Sequence, residues 1–468
     1  MEGRKGVFVL DLRKKMYTIQ TKLRQIRLSP TTIIALTFLA IILVGTVLLM
    51  TPAASRNGVS CGFRPALFTA TSATCVTGLV LFDTWTQWSG FGQTVIITLI
   101  EIGGLGFMSL VSLFVFALRK KVGLKQRMLI AQALSLDEMR GVVDLQKTVL
   151  LGSLGIQTVA ALILFLRFLP EYGVQQAAVW GVFHAISAFC NAGFDIFGEF
   201  APGASAAFVN DDPVVCLTLM TIIAVGGLGF FVWEEVIRVR KWKSFSVYTR
   251  LVLIMSLVLT ALGWVAFCVL EWGNPATLGD MPWGQKLLNG LFQSVTVRTA
   301  GFAPIDQAGL TDASKAVSMG LMLIGGSSGS TAGGAKTVTV LVLLLFLWTR
   351  ARGRETVRVF KRTIPGRKVL DAMTIVSLLV LLAFLGAAVI TVTSPVGFTD
   401  ALYETVSALA TVGLTAGVTG KLGVLGQYLI ILYMYFGRVG ILTISLGFLM
   451  GNRAEERFRY AETNLLIG

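Results

Sequence analysis

The sequence predicts an all-α, polytopic membrane protein in which four similar units of helix, re-entrant loop and helix surround a common axis. Three observations lead to this prediction. Apolar runs of about twenty residues recur along the whole chain, 54% of the 468 residues are hydrophobic, and glycines end short stretches between the apolar runs. A run of that length is sufficient to cross a bilayer, whereas the intervening stretches are too short to do so.

Eight apolar segments are predicted to span the membrane, and the mean hydropathy of +0.76 agrees with so large an apolar share. Runs of this length indicate helices, which satisfy all their backbone polar groups internally in lipid. The segments lie at about 32–51, 94–118, 147–169, 214–237, 248–271, 316–349, 370–393 and 425–450. An even number of spans places both ends of the chain on one side.

Positive charge is distributed unevenly along the chain and predicts its orientation. Most of the 40 Lys and Arg residues lie in the N-terminal segment, the linkers 119–147, 238–250 and 350–368, and the C-terminal tail. Because Lys and Arg are enriched in cytoplasmic loops, both termini and these linkers are expected on the cytoplasmic side of the cell inner membrane. The formal charge of +15 thus reflects topology and predicts no nucleic-acid partner. The five cysteines form no CxxC pair, which argues against a zinc site.

Four stretches between the spans share a glycine and define an internal repeat. They read SATCVTGL, SAFCNAGF, VTVRTAGF and SALATVGL, and their glycines are Gly78, Gly193, Gly301 and Gly413. A second glycine mark lies downstream in each following span, at Gly103–Gly104, Gly226–Gly227, Gly325–Gly326 and Gly437. Matched placement of both marks favours a four-fold, pseudo-symmetric repeat over glycines that serve only helix packing.

The repeat divides the chain into six parts. A cytoplasmic segment at 1–30 precedes repeat 1 at 31–126, repeat 2 at 127–246, repeat 3 at 247–368 and repeat 4 at 369–452, and a cytoplasmic tail occupies 453–468. Within repeat 3, Gly and Ser residues at 325–337 interrupt an otherwise apolar segment. Their low helix propensity predicts an irregular, mobile loop inside the sixth span.

Four such units around one axis predict a central cation pore whose narrowest part is lined by backbone. Non-helical backbone at membrane depth must be buried or line an aqueous path, because lipid cannot satisfy its polar groups. A ring of carbonyl oxygens can replace the hydration shell of a monovalent cation, and glycine permits positive φ without a side chain in the ring. In repeat 1 the predicted filter residues are Thr74, Cys75, Val76, Thr77 and Gly78, which correspond in order to the five-residue potassium-channel filter. In the other repeats they are Asn191, Ala192, Gly193, Thr299, Ala300, Gly301, Thr411, Val412 and Gly413.

These features resemble the Trk/Ktr/HKT superfamily of potassium transporters, and within it the Ktr-type membrane subunits (KtrB). The resemblance covers essentially the whole chain: eight spans, four filter glycines and the loop GGSSGSTAGGAKT. TrkH-type relatives carry extra helices before the first repeat, and their absence here favours the Ktr type. In the family the loop is a flexible gate below the filter, which implies the gate residues Gly325, Gly326, Ser327, Ser328, Gly329, Ser330, Thr331, Ala332, Gly333, Gly334 and Lys336.

The resemblance also implies what the chain transports and binds. A potassium ion is expected at the four filter glycines; in plant relatives a serine at the first of them goes with sodium preference, and this chain has glycine in all four places. Whether sodium acts as a coupling or activating ion stays open, and no covalently bound cofactor is expected. The implied partners are a second copy of the chain, forming a homodimer, and a cytoplasmic ring of nucleotide-binding regulatory subunits of the KtrA type.

Charged residues inside the predicted spans are functional candidates, because burying a charge in a membrane is costly. Arg438 follows the glycine of the fourth repeat. The family has a basic residue there that faces the pore and the gate, so a pore-facing electrostatic barrier is predicted. Lys336 either acts in the gate or reaches solvent or a carboxylate. Arg298 is expected to point behind the filter and pair with a carboxylate of another repeat, while the roles of Glu101 and His184 stay open.

Three other functions fit the sequence less well. The segment 325–329 matches G-x-S-x-G, but no strand precedes it, and a serine protease would have to use the lone histidine. The spacing of a phosphate-binding P-loop is broken, because Ala335 separates Gly334 from Lys336. A carrier would have inverted repeats, whereas all four units here begin inside. The chain is therefore predicted to be a channel-like transporter and not an enzyme.

Overall fold

A computed structural model describes residues 30–106, 142–360 and 362–440 of the chain. These ranges are almost entirely helical, with one short antiparallel pair of strands, β1 (Arg358–Val359) and β2 (Arg362–Thr363). The helices are α1 (Pro30–Leu49), α2 (Phe63–Thr74), α3 (Thr84–Gln87), α4 (Gly90–Leu105), α5 (Val142–Phe189), α6 (Pro213–Leu228), α7 (Phe230–Val239), α8 (Val247–Glu271), α9 (Trp283–Thr296), α10 (Asp312–Leu323), α11 (Thr337–Ala351), α12 (Gly366–Thr393), α13 (Phe398–Ala410) and α14 (Val424–Val439).

Parts of several predicted segments lie outside the described residues. These parts are the cytoplasmic segment before Pro30, residues 107–118 of the second span, the linker up to 141, residues 441–450 of the eighth span and the C-terminal tail. The division into repeats at the predicted boundaries stays a prediction.

The described helices indicate a multi-pass membrane protein. α1, α5, α8 and α12 are each long and apolar enough to cross a bilayer, and α6 with α7 would make a fifth crossing if the bent pair counts as one. α4, α11 and α14 are also apolar but have only 16, 15 and 16 residues. The predicted total of eight spans therefore stays a prediction, whereas the membrane-spanning, all-helical character agrees with the sequence.

The fourth predicted span, at 214–237, is not continuous. α6 ends at Leu228, α7 begins at Phe230, and the two helix axes differ by 96°. Gly229 between them has φ +93°, a left-handed conformation that a residue without a Cβ adopts readily. The prediction of one unbroken helix is therefore wrong. The bend was missed because both helices are apolar, and hydropathy does not record a change of direction. In the sixth predicted span, the helix is interrupted between Leu323 and Thr337, where the sequence predicts a loop.

Four short helices lie between the longer ones: α2, the part of α5 after its kink at Gly173, α9 and α13. Most residues of α2 and α13 are buried, although both helices carry many hydroxyl side chains. α2 packs against α1 and α4, α9 against α8, and α13 against α12 and α14. The long helices instead expose apolar side chains, such as Leu257 on α8 and Val392 on α12, which are 73% and 86% exposed. The long helices thus face lipid and enclose the short ones.

Candidate ion pathway

Each short helix ends in the same backbone conformation, in which two left-handed residues are separated by one other residue. In chain order, φ is 57°, 59°, 72° and 51° at Val76, Asn191, Thr299 and Thr411, and 97°, 68°, 82° and 93° at Gly78, Gly193, Gly301 and Gly413. Left-handed backbone is unfavourable for β-branched residues such as Val76, so the surroundings must hold it in place. Such held strain is typical of functional sites.

A hydroxyl side chain near the end of each short helix anchors the stretch that follows. Ser72 Oγ accepts from the backbone N–H of Gly78 at 3.0 Å, and Ser407 Oγ accepts from that of Gly413 at 3.1 Å. The other two hydroxyls donate instead, each at 2.6 Å: Ser187 to the carbonyl of Phe194, and Thr296 to that of Phe302. The sequence analysis missed these anchors. Their signal is the serine that begins three of the four aligned stretches, and repeat 3 has a threonine one position later.

The four glycines form a closed ring. A Cβ placed on each would meet a carbonyl oxygen of the residue before the next glycine: Ala192 at 2.5 Å from Gly78, Ala300 at 2.8 Å from Gly193, Val412 at 2.5 Å from Gly301, and Thr77 at 2.0 Å from Gly413. The contacts therefore run from repeat 1 to 2, 3 and 4 and back to 1. Only glycine leaves room for so close an approach of four backbones.

The ring and the residues below it present oxygen atoms of the kind that bind alkali cations. All predicted filter residues are buried, and the four glycines among them meet in the ring. Within the described part of the chain, four threonine hydroxyls of these stretches are buried without a hydrogen-bond partner: Thr74, Thr77, Thr299 and Thr411. Buried polar atoms are normally paired. Together with the ring carbonyls, these hydroxyls are suited to coordinate a dehydrated monovalent cation.

The second glycine mark has a packing function in three of the four repeats. A Cβ on Gly103, Gly226 or Gly437 would lie 1.9, 2.2 or 2.3 Å from a carbonyl oxygen, that of Thr74, Phe189 or Leu409, respectively. Each of these carbonyls lies near the end of a short helix, four residues before a ring glycine. Glycine thus lets the following span approach the base of the ring. Gly325 differs, because its neighbour is the carbonyl of Gly333 in the interrupted helix of repeat 3.

Alanine at Gly437 is expected to lower the stability of the fold by roughly 1–3 kcal/mol, because the new methyl group overlaps the carbonyl of Leu409. Gly155 in α5 is the matched control: it is helical, and a Cβ there meets no atom within 4 Å. Gly155→Ala should be neutral or stabilising by up to about 1 kcal/mol. Thermal unfolding midpoints of the two purified variants in detergent measure the difference. Equal midpoints would show that the close approach at Gly437 is not required.

An open cavity lies on one side of the ring. Its volume is about 540 Å³, and its lining includes all four ring glycines and the carboxylates of Asp83, Asp195 and Asp306, but no Lys or Arg. A cleft lined by one sign of charge concentrates the opposite ion. The cavity is therefore a vestibule that attracts cations toward the ring. These aspartates were not predicted, although Asp83 and Asp306 each lie five residues after their ring glycine; Asp195 lies two residues after Gly193, and repeat 4 has no acidic residue at either position.

Two of the vestibule carboxylates come from different repeats. Asp83 accepts from the backbone N–H groups of Thr86 at 2.9 Å and Gly203 at 3.0 Å, and thereby ties the loop after the first ring segment to repeat 2. Asp195 follows the second ring glycine; burial, and then the negative charge of Asp83, raise its pKa to about 6. Even with this raised pKa, Asp195 is mainly ionised at neutral pH and adds negative charge to the vestibule.

Two buried ionisable side chains brace the ring from behind. Glu404 lies on α13 and His184 on α5, each nine residues before its ring glycine. Glu404 accepts from the hydroxyls of Thr415, at 2.6 Å, and Thr419, both of which follow the ring. The sequence analysis gave Glu404 no role, because a lone acidic residue in a short amphipathic helix carries no distinctive spacing.

His184 makes the equivalent contact in repeat 2. Its Nδ1 lies 2.8 Å from the carbonyl of Trp180 and its Nε2 accepts from the N–H of Ile196 at 3.3 Å, so the proton sits on Nδ1. The imidazole also stacks on Phe197 at 3.9 Å. Nε2 thus holds the segment after Gly193 while Nδ1 is engaged within the helix, which leaves no free ring nitrogen to act as a base for a serine nucleophile.

Arg298 and Glu101 link the ring segments to spanning helices. Arg298 donates to the carbonyl of Ser256 in α8 at 3.3 Å. The prediction that it pairs with a carboxylate of another repeat is wrong within the described residues, because its recorded partner is a backbone oxygen of its own repeat. Glu101 on α4 accepts from Gln157 Nε2 at 3.0 Å and from the thiol of Cys190 at 3.3 Å. It thereby connects α4 to the first half of α5 and to the residue that follows α5.

The interrupted segment of repeat 3, residues 324–336, lies beneath the ring and is called the gate loop below. Thr331 Oγ1 donates to the carbonyl of Phe189 at 3.1 Å, at the end of the second short helix. Gly333 lies against Thr411 and Ala410 at the end of the fourth, so closely that a Cβ would be 1.9 Å from Thr411 Oγ1. The loop thus spans the base of the ring between repeats 2 and 4.

Backbone hydrogen bonds attach the gate loop to the break between α6 and α7. The N–H of Ser327 donates to Gly227 at 3.0 Å, and the N–H of Phe230 donates to Gly329 at 2.8 Å. The loop closes on itself through the N–H of Gly325 and the carbonyl of Ala335 at 2.9 Å. The remaining predicted gate residues, Gly326, Ser328, Ser330, Ala332 and Gly334, lie within this same stretch.

Two cationic side chains lie at the gate loop. Arg438, on the last turn of α14, donates to the carbonyls of Thr331 and Gly103, and to that of Gly104 at 3.2 Å. Lys336 donates to the carbonyl of Ala332 at 2.6 Å. Within the described residues, the carboxylate contact considered for Lys336 is not observed. Both cations instead hold backbone oxygens around the loop.

Comparison with known proteins places this architecture in a family. The family described as "TrkH: Cation transport protein" matches residues 12–457. The potassium/sodium uptake protein NtpJ of Enterococcus hirae is 39% identical over 456 residues, which cover 96% of this chain and 100% of that protein. Ktr system potassium uptake protein B of Bacillus subtilis is 39% identical over 446 residues, covering 95% and 98% of the two chains.

A solved structure has the same fold. The potassium transporter TrkH from Vibrio parahaemolyticus superimposes with a TM-score of 0.71 at 17% identity, covering 90% of this chain and 85% of that one. The predicted superfamily is confirmed by the family match and by both curated relatives, and a family of cation transporters confirms that the chain is not an enzyme. The chain belongs to the TrkH family of cation transport proteins.

Proposed function

We propose that the chain is the potassium-conducting subunit of a Ktr-type uptake system, with a channel-like pathway through the glycine ring. The closed ring of Gly78, Gly193, Gly301 and Gly413 carries this proposal, because each glycine faces the carbonyl that precedes the next. Backbone carbonyls around an axis substitute for the water of a monovalent cation. Unpartnered threonine hydroxyls in the same stretches supply further oxygen ligands. The names of the relatives, potassium uptake proteins, agree with this cargo.

The two sides of the ring differ, and this difference supports an orientation of the pathway in the membrane. The acidic vestibule concentrates cations before they enter the ring, and we assign it to the outer face, since the basic linkers predict that the opposite side is cytoplasmic. The gate loop lies below the ring and in this arrangement blocks the exit. Potassium would pass when the loop withdraws from Phe189 and Thr411.

The uptake system would include further components. The relatives are named as parts of a Ktr system, which supports a complex of several subunits. We propose a homodimer of this chain in the inner membrane, with both termini cytoplasmic, on which a ring of KtrA-type nucleotide-binding subunits controls the gate. One relative is named a potassium/sodium uptake protein, and sodium is therefore the second ion to test, as cargo or as an activating ion.

The proposal is tested by potassium and sodium uptake in cells that lack their own potassium transporters. The chain would be expressed as the wild type, as Gly78→Ser and with residues 328–333 deleted. A Cβ at position 78 lies 2.5 Å from the carbonyl of Ala192 and 3.2 Å from Gly413 Cα, so serine must displace part of the ring. We expect wild type to restore growth at low potassium and Gly78→Ser to lose most of the preference for potassium over sodium.

The loop deletion separates conduction from gating. Removing 328–333 takes away the contacts to Phe189, Thr411 and Phe230, and should raise uptake without changing ion preference. Wild-type expression that leaves potassium uptake at the background level, with the protein present in the membrane together with its regulatory subunit, would contradict the proposed function. An unchanged ion preference in Gly78→Ser would contradict the assignment of the ring as the filter.

A further inference from the structure

α7 and the turn that follows it form a surface that the transport pathway does not use. The helix leaves α6 at 96° and ends at Val239, and a short 3₁₀ helix at Trp242–Ser244 leads to α8. Its inner face is buried through Phe230 and Val232, whereas its C-terminal half and the turn are exposed. We call residues 236–243 the α7 surface.

The α7 surface lies at the level of the membrane boundary. Glu235 on α7 accepts from the hydroxyl of Ser246 at 2.7 Å and also from the hydroxyl of Thr249, and thereby caps the first turn of α8. α8 has 25 residues, a length of about 37 Å, which exceeds the roughly 30 Å of the hydrocarbon core. The start of α8 is therefore at the interface. Because α7 is nearly perpendicular to α6 and level with that start, it runs along the membrane surface.

The exposed side chains of the α7 surface combine apolar groups with positive charge. Ile237 and Trp242 are 64% and 49% exposed, and Arg240, Lys241 and Lys243 beside them are exposed as well. Tryptophan and basic residues beside exposed aliphatic ones are typical of helices that lie in the interface. Exposed apolar side chains grouped with basic ones mark a surface suited to contact with a membrane.

The positive charge of this surface is not neutralised within the described residues. Of the two acidic residues of α7, Glu234 pairs with Arg238 at 3.4 Å, and Glu235 is engaged at the start of α8. The described part of the chain records no ion pair for Arg240, Lys241 or Lys243. Anionic phospholipids supply the missing charge, and each basic residue near a bilayer surface adds to the attraction.

The same element holds the gate loop. The N–H of Phe230, the first residue of α7, donates to the carbonyl of Gly329 at 2.8 Å. Tyr248 Oη, on the first turn of α8, donates to the carbonyl of Ser328 at 3.1 Å. The two ends of the segment from Phe230 to Tyr248 thus contact adjacent residues of the loop, and a ligand that fixes this segment also fixes the loop beneath the ring.

We propose that the α7 surface binds the headgroups of anionic phospholipids, and that this binding stabilises the gate loop in its blocking position. The lipid-binding part stands by itself, and the effect on the gate rests on the proposed function. Withdrawal of the loop breaks its bonds to Phe230 and Tyr248 and frees the segment between them. A lipid that binds the segment better in the present arrangement shifts the equilibrium toward the blocking state by that difference in affinity. Loss of the anionic lipid or of the charges therefore raises basal flux.

The experiment uses the full chain in phosphatidylcholine vesicles with and without phosphatidylglycerol. Lipid contact is measured by the quenching of Trp242 fluorescence by brominated forms of each lipid, taken as the difference between wild type and Trp242→Phe. Basal flux is measured with rubidium. The test variant is Lys241→Gln with Lys243→Gln, and the matched control is Lys421→Gln, an exposed lysine after the fourth ring segment.

We expect brominated phosphatidylglycerol to quench Trp242 more than brominated phosphatidylcholine does, and the double lysine variant to remove this preference. Phosphatidylglycerol should lower the basal flux of wild type and of Lys421→Gln several-fold, but not that of the double variant. A Trp242 that neither lipid quenches would mean that protein covers this surface, and the proposal would be wrong. Equal quenching by both lipids would also overturn it. Flux that is absent in every lipid, with selective quenching intact, would contradict the conducting function and leave lipid binding supported.

Discussion

Alanine in place of Gly413 is expected to abolish potassium uptake, with a loss of at least about a hundredfold. A Cβ at this position would be 2.0 Å from the carbonyl oxygen of Thr77 and 2.9 Å from Gly78 Cα, the tightest such approach in the ring. The carbonyl of Thr77 must therefore turn away, and one quarter of the ring then loses its oxygen. Alanine also has to adopt φ +93°, which costs on the order of 1–2 kcal/mol for a residue with a Cβ.

Gly58 provides a matched control, because it separates backbone strain from overlap. Its φ is +70°, but no atom lies within 4 Å of a Cβ placed there. Gly58→Ala should keep near-normal potassium uptake and lose only the stability that corresponds to left-handed backbone at an alanine. Uptake of potassium and amount of protein in the membrane would be measured for both variants in cells without other potassium transporters. Normal potassium uptake by Gly413→Ala at normal abundance would mean that ions do not pass through the ring.

The glycines illustrate how much of the site could be predicted from the sequence. Both glycine marks could be predicted because they recur in each repeat. Where two backbones lie in van der Waals contact, only glycine fits, and the sequence records that glycine. The ring glycines, the filter residues and the break in the sixth span follow from that record. The reason for the second mark, the approach of Gly103, Gly226 and Gly437 to short-helix carbonyls, needed the structure, because a sequence records that a side chain is missing but not what takes its place.

Features that depend on how separate segments of the chain are arranged in space were predicted poorly. Arg298 was expected to meet a carboxylate, yet it donates to the carbonyl of Ser256. The bend at Gly229 was missed because α6 and α7 are both apolar. Asp83 and Asp195 come together only when two repeats lie side by side. In each case the deciding quantity is a distance between segments far apart in the chain, which hydropathy and spacing do not contain.

Replacing Arg438 is expected to raise basal flux, and the choice of replacement separates two explanations of its role. Arg438 could act by its charge, which repels cations below the ring, or by its geometry, because the guanidinium reaches Thr331 in the gate loop and both Gly103 and Gly104 at the end of α4. Lysine keeps the charge but not the planar fork of donors, whereas glutamine loses both. We therefore compare Arg438→Lys with Arg438→Gln.

We expect both variants to increase rubidium flux through vesicles that contain the chain without regulatory subunits, Arg438→Gln by roughly tenfold or more and Arg438→Lys by less. Hydrogen bonds to a charged group contribute about 1.5–3 kcal/mol each, and about 1.4 kcal/mol corresponds to a factor of ten, so one lost contact to the loop suffices. Arg56→Gln, which removes an exposed arginine between α1 and α2 that contacts Trp85 on α3, serves as the control and should not change the flux.

The lysine variant decides between the two explanations. If charge alone blocks the path, Arg438→Lys should conduct as little as wild type, since a cation still lies below the ring together with Lys336. If the fork holds the loop, lysine cannot bridge Thr331 to α4, and the loop gains freedom although the charge persists. The contacts to three carbonyls on two elements favour the second outcome. Flux at the wild-type level in both variants would mean that the other contacts of the loop, those to Gly227, Phe230, Phe189 and Tyr248, suffice to hold it under the ring.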